Sequence, residues 1–281
     1  MSKRIYGSTV YDSACENYFY DLDNKDEKHK KIFEEEFSLI EISFSNLLNR
    51  FINICKNKEN YESSLITTKK EREEFSYYLT IQLLRTKKFR ELNKEVNQKS
   101  FDNYMYFYKM YKEKYLNEEL RYKEMVIQVN SKKKHLNILV DDDIIAMITG
   151  FISNSYWTFI YNDTSNPFII SDNPVCRIPY INENNSKRRI EPFRSDFFQL
   201  FIPLSPNISL CVYREDSIFC KKFTNKLHNR LTIINNIDLI NNINKYQCIM
   251  GHEKIFFNSE NEYLIKEYCS DDLTQNGNLF F

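Results

Sequence analysis

Glycine is scarce in this chain: four in 281 residues, with six prolines. That shortage argues against a loop-rich or disordered polypeptide. It also excludes a glycine-rich phosphate-binding loop, and no Gly-x-Ser-x-Gly or His-Glu-x-x-His occurs either. Net charge is absent too, with 39 basic and 39 acidic side chains. A protein that coats nucleic acid usually carries a basic excess, because affinity grows with each phosphate neutralised, so only a local basic patch stays open. The longest apolar run, Ile144 to Ile152, includes Thr149 and Gly150 and is about half of a membrane span. Met1 to Gly7 has basic residues but no apolar stretch behind them, so no secretory leader is expected. The seven cysteines are an odd number, form no Cys-x-x-Cys and never fall within eight positions of one another. Scattered reduced thiols in a soluble cytoplasmic protein are the expectation, with no metal site.

Aromatic residues, by contrast, are plentiful: 22 Phe and 20 Tyr beside a single Trp. In the first half they recur at helical spacing. Phe33, Phe37, Ile40, Phe44, Leu47, Leu48, Phe51 and Ile54 predict a helix from Asp26 to about Asn57. Asn57 to Asn60 reads as a loop. Thr68-x-x-Glu71 fits a capping box and opens a second helix that continues to about Val96. A third is expected from Ser100 to about Val129, with the stripe Phe101, Tyr104, Tyr108, Tyr111 and Tyr115 read as core packing rather than a stacking platform for single-stranded nucleic acid. Asp141 to Ser153 predicts a shorter helix with acidic residues where the dipole favours them.

From Tyr156 the period changes. Tyr156 to Tyr161 and Phe168 to Ile170 read as two strands around the turn Asn162 to Pro167. Asn182 to Arg189 reads as a polar loop. Phe197 to Ile202 and Ile208 to Arg214 form a second strand pair, followed by a helix from about Asn225 to Lys245, a short strand at Ile255 to Phe257 and a loose tail from Asp271 to Phe281. The expected fold class is α+β: long N-terminal helices packed on a smaller C-terminal mixed or antiparallel sheet. All of it is expected in one compact domain, helical over residues 1–153 and mixed strand and helix over residues 154–270.

Candidate chemistry centres on Phe168 to Val175, where three large apolar residues run into Ser171-Asp172-Asn173 and Pro174. A hydroxyl, a carboxylate and an amide within one turn are able to bind a ribose, a phosphate-bound metal or a base edge; they equally fit an Asx turn that closes on its own backbone. Gln82 falls in line with Phe75, Leu79, Thr86 and Phe89, and Arg85 follows at i+3. A buried guanidinium needs a carboxylate, and Asp172 is the expected partner, either as an interior clamp or as the wall of a ligand pocket. Among the four histidines, His252 in Gly251-His252-Glu253 has a neighbouring carboxylate and is the acid–base candidate. His228 is assigned to a polar helix start. Ser205, before Pro206, reads more readily as a turn residue than as a nucleophile.

Four segments in order, Cys15-Glu16-Asn17-Tyr18-Phe19-Tyr20, Gln82-Leu83-Leu84-Arg85-Thr86, Ser171-Asp172-Asn173-Pro174-Val175 and Pro203-Leu204-Ser205-Pro206, give a resemblance over nearly the whole chain. The sequence resembles the bacterial family catalogued as domain of unknown function 4238. Members of that family usually carry His-Tyr-x-Pro ahead of the Asn-Tyr-x-Tyr element, a segment this sequence lacks. If that His is catalytic elsewhere, the expectation is that this chain lacks the activity or uses another group. The resemblance implies an association with mobile-element and phage-defence neighbourhoods and specifies no cofactor.

Two functions are therefore expected. The first is a bacterial intracellular effector, phage-defence or toxin-like, such as a nuclease, acting on RNA or another phosphate-bearing substrate such as a nucleotide. In it Arg85 stabilises charge, Asp172 is acid–base group or metal ligand, His252 assists, and Gln82, Ser171, Asn173 and Ser205 bind substrate. The second is a non-catalytic sensor or antitoxin-like interaction protein, working with a protein partner or a second copy of itself.

Overall fold

In the computed structural model, the described residues are 27–57, 65–116, 137–177, 180–181, 188–189, 198–214, 228–258 and 262–268. The N-terminal region is built from α1 (Glu27–Lys56), α2 (Lys69–Leu84), α3 (Lys87–Leu116) and α4 (Asp142–Ser153). Each start has a local cause. The Thr68 hydroxyl accepts from Glu71 N–H at 3.2 Å while the Glu71 carboxylate accepts from Thr68 N–H at 2.7 Å, the reciprocal pair that opens α2. Asp141 caps α4 by accepting from Ile144 N–H at 3.0 Å, with Asp142 and Asp143 in the first turn.

The break between the second and third helices lies earlier than expected. The chain bends at Arg85 and Thr86, and α3 then runs unbroken through Ser100. The cause is Thr86, whose hydroxyl accepts from Phe89 N–H at 3.2 Å and so caps a new helix. The expected continuation to Val129, the tail 271–281 and the loop at 58–60 lie outside the described residues.

The strands are β1 (Tyr156–Asn162), β2 (Ile170–Ser171), β3 (Cys176–Arg177), β4 (Tyr180–Ile181), β5 (Arg188–Arg189), β6 (Gln199–Ser205), β7 (Ile208–Tyr213), β8 (Arg230–Ile234) and β9 (Ile255–Phe256), with α5 (Ile237–Met250) after β8 and α6 (Glu262–Tyr268) after β9. Five strands form the main sheet in the order β3-β6-β7-β1-β8. All its neighbours are antiparallel except β1 and β8, which pair in parallel with Phe159 opposite Leu231. β4 and β5 form a ribbon, so Arg188 and Arg189 at the end of the expected polar loop lie in a strand, and β2 pairs with β9.

Both faces of the sheet are apolar and both are covered. On one, Trp157, Phe159, Leu200, Ile202, Leu210, Val212 and Leu231 pack with Phe51, Phe75, Leu79, Ile148 and Ile152 of the helices in one core. Aromatic rings carry it across the junction: Phe75 lies 5.0 Å from Phe51 and 5.9 Å from Trp157 between centroids. On the other face, Ile160, Phe168, Phe201, Cys211, Tyr213 and Ile234 pack with Ile240 and Ile243 of α5. A strand covered on both sides loses the alternation of apolar and polar burial, and all six residues of β7 are buried. The fold is α+β, as expected, with α5 as a further layer.

Two expectations are corrected here. Residues 230–234 form β8, not the first turns of a helix from Asn225, because the β-branched run Thr232-Ile233-Ile234 suits a pleated, half-buried strand. The helix begins only at Ile237, where Asn236 accepts from Leu239 N–H at 3.1 Å. Phe168 and Ile169 do not pair with β1 as a hairpin; β1 takes β7 and β8 as neighbours.

Candidate functional site

The extended segment from Asn166 to Pro174 makes seven hydrogen bonds with α5, beside its short pairing with β9. Asn241, Asn244 and Gln247 stand three residues apart, so their amides project from one helix face. Asn241 Oδ1 accepts from Asn166 Nδ2 at 2.7 Å. Asn244 accepts from Ile169 N–H at 3.1 Å and donates to the Pro167 carbonyl at 2.9 Å. Gln247 accepts from Ser171 N–H at 3.2 Å and from the Ser171 hydroxyl at 3.0 Å, and donates to the Pro174 carbonyl at 3.0 Å. A carboxamide offers a donor and an acceptor side by side, as a peptide group does, so three of them stand in for a paired strand. These residues carry no motif, and sequence reasoning missed them; the i, i+3, i+6 spacing of the amides along α5 is the signal.

Ser171 and Asn173 are spent within this network. The Ser171 hydroxyl lies 3.1 Å from the Asn173 carbonyl and 3.3 Å from Asn173 N–H, and Asn173 Nδ2 donates to the Met250 carbonyl at 2.9 Å. Both side chains are buried. Gly251 is needed where α5 ends against Ser171: a Cβ there would lie 3.0 Å from Ser171 Cβ and 3.2 Å from the Gln247 carbonyl.

Asp172 points the other way. One carboxylate oxygen accepts from His252 N–H at 2.8 Å; the second accepts from Glu253 N–H at 2.8 Å and Lys254 N–H at 3.1 Å. Its own N–H donates to the Lys254 carbonyl at 3.0 Å. Three successive backbone donors converging on one anion form a nest, and here the anion belongs to the chain itself.

The Arg85–Asp172 pair anticipated from sequence is therefore not the pair the fold makes. Arg85 donates to Glu41 of α1 at 2.5 Å and to Gln82 one turn back. The reason is reach: Glu41 on the adjacent helix meets the guanidinium before any strand residue does. The two motif segments are linked only indirectly, through residues outside both. Lys87, which begins α3, bonds Glu253 at 2.6 Å, and the N–H of Glu253 is one of those held by Asp172. His252 Nε2 stands 3.7 Å from the same Glu253 carboxylate. The hydrogen bond from Lys87, with the positive charges of Lys87, His252 and Lys254, holds the Glu253 carboxyl below its ordinary range.

Ser205 closes a turn, its Oγ accepting from Asn207 N–H at 3.4 Å. The next residue, Pro206, gives its carbonyl to Phe168 N–H at 2.8 Å, which fastens the Pro-Leu-Ser-Pro turn to the extended segment. His228 lies in a turn before β8, not on a helix, with Arg72 Nη1 at 2.6 Å from its Nε2. Beside it Asn229 adopts a left-handed backbone with φ 58. Its Oδ1 accepts from Thr67 N–H at 2.9 Å and the Thr67 hydroxyl at 2.7 Å, and its Nδ2 donates to the Thr67 carbonyl at 2.5 Å. This clamp fixes the entry of α2 to the start of β8.

Burial pushes the Cys55 and Cys211 thiols up to about 12 and raises that of Cys176, so none of the three is a nucleophile at neutral pH. Among the described residues no group of three or more His, Cys, Asp or Glu side chains is placed to hold a metal ion, and no helix is long and apolar enough to cross a membrane.

No curated protein and no solved structure matches the chain. A family model described as "Protein of unknown function (DUF4238)" matches residues 1–261, a span that includes the α2 end, the Asp172 nest and the Pro206 turn just described. With most of its length covered by that model, the chain belongs to this family of unknown function.

Proposed function

We propose that the chain is a non-catalytic intracellular interaction protein, a cytoplasmic sensor or antitoxin-like partner, in which the polar motif residues hold the helical and strand regions together. One observation carries this reading: Asp172, Arg85, Ser171 and Asn173, four of the side chains expected to do chemistry, are engaged internally. The Asp172 carboxylate has three backbone donors, and Arg85 has Glu41 and Gln82. Ser171 and Asn173 are buried in bonds to Gln247 and Met250. With both oxygens taken by backbone N–H groups, the Asp172 carboxylate is committed to holding the loop after α5 rather than a substrate.

A second reading, an effector acting on RNA or another phosphate-bearing substrate, draws on Lys87, His252 and Glu253. Their side chains are 30%, 24% and 48% exposed and sit together beside the nest. Induced expression of the wild type beside His252→Ala/Glu253→Ala separates the two, with growth and cellular RNA integrity as readouts. Intact RNA and equal growth with both proteins are expected. Arrest or RNA loss with the wild type that vanishes in an equally stable double variant would favour the effector instead.

A further inference from the structure

Donors outnumber acceptors around His228. Trp157 N–H points at its Nδ1 from 3.2 Å, and Arg72 Nη1 lies 2.6 Å from its Nε2. A neutral imidazole has a single lone-pair nitrogen, and a protonated one has none. If Nδ1 accepts from Trp157, then Nε2 carries a proton and confronts the guanidinium with no acceptor between them. If Nε2 accepts from Arg72, the Trp157 N–H is left over. Arg72 Nε adds a further donor, buried and without an acceptor.

No acid among the described residues relieves this surplus. Glu71, the neighbouring carboxylate, is taken by Arg50 at 2.8 Å and by the Thr68 backbone and hydroxyl at 2.7 and 2.8 Å. Arg72 has no carboxylate partner among the described residues, although it stands in line with buried Phe75, Ser76 and Leu79 on the inner side of α2. A partly buried guanidinium without a counter-charge is costly, and an oxyanion is the group that satisfies a guanidinium fork and an adjacent N–H together.

We propose that Arg72 and His228 form a binding site for an oxyanion, a phosphate or carboxylate group, which parts the 2.6 Å contact of Arg72 Nη1 with His228 Nε2 and accepts from both, while Trp157 N–H fixes the imidazole tautomer. Bound there, the anion receives two classes of donor that otherwise face each other. The site is independent of the Asp172 nest, so its fate does not decide between the two functions proposed for the chain.

The test is a titration of the full-length protein with inorganic phosphate, and separately with acetate, at constant ionic strength. The His228 ring nitrogens are followed by long-range proton–nitrogen NMR. A saturable shift of both ring nitrogens is expected, together with a rise in the His228 pKa. Affinity should fall about tenfold or more in Arg72→Gln and far less in Arg72→Lys, which keeps the charge. A response to phosphate alone assigns a phosphate group, and one to acetate alone a carboxylate; a response to both assigns a site open to either. No saturable shift in the wild type overturns the proposal, a result that depends on no variant. An unchanged affinity in a folded Arg72→Gln protein overturns it as well.

Discussion

Removing the Asp172 carboxylate is the sharpest perturbation of the nest. Asp172→Ala leaves three backbone donors without their acceptor. Glu253 is exposed, so its N–H turns to water at little cost. The N–H groups of His252 and Lys254 are part-buried. Each then loses a charge-assisted bond at about 1–1.5 kcal/mol, for a total of about 2–3 kcal/mol. Asp172→Asn retains a carbonyl oxygen and should lose about 1 kcal/mol. The assay is urea unfolding with linear extrapolation, the slope serving as a check that the compactness of either state has not changed. A double-mutant cycle completes the test. Because Arg85 bonds Glu41 rather than Asp172, the coupling between Asp172→Ala and Arg85→Ala should stay within about 0.5 kcal/mol of zero. A coupling of about 2 kcal/mol or more, or an Asp172→Ala protein as stable as the wild type, would refute the nest as the role of this residue.

Asn229→Ala should cost about 3 kcal/mol in the same assay, partly from placing Ala at a left-handed φ and partly from the bonds to Thr67; Asn229→Gly should recover only the backbone share, about 1 kcal/mol. Gln247→Leu strands Ser171 N–H and the Pro174 carbonyl, while the Ser171 hydroxyl keeps the Asn173 carbonyl, and should cost about 2–3 kcal/mol; Gln247→Glu, which sets a fully buried carboxylate against the Pro174 carbonyl, should cost at least as much. Burial, aided by the Arg72 charge, holds the His228 pKa below its ordinary 6.5. The unfolded chain therefore takes up that proton first, so stability from this residue is intact above pH 6.5 and falls as the pH drops below it. Unfolding free energies across that range should show the slope in the wild type and a reduced one in His228→Gln.

Local signals in the sequence translate directly into structure. The capping box at Thr68 and Glu71, the acidic start at Asp141 and the pair of apolar runs at β6 and β7 each depend on neighbouring residues, and each is legible. Long-range choices are not. Leu231 to Ile234 reads as helix because the run is short and apolar; its β-branched residues favour a strand, and the parallel pairing with β1 completes it. The break at Thr86 is hidden by helical periodicity on either side, since a capping threonine changes no apolar spacing. Arg85 and Asp172 are recognisable as residues in need of partners. Which partner each takes depends on how α1 and the loop after α5 approach them, and that is set by tertiary packing.

The Asn229 clamp joins residues 162 positions apart, and this has a consequence during synthesis. At about 5–20 residues per second, the ribosome takes roughly ten to thirty seconds to travel from Thr67 to Asn229. For about the first half of that interval, until β1 is made, α1 and α2 lack the strand whose Phe159 and Trp157 cover Phe51 and Phe75. The apolar faces of α1 and α2 are therefore made before the strands that cover them, and the clamp that locks α2 to β8 closes only once Asn229 is made.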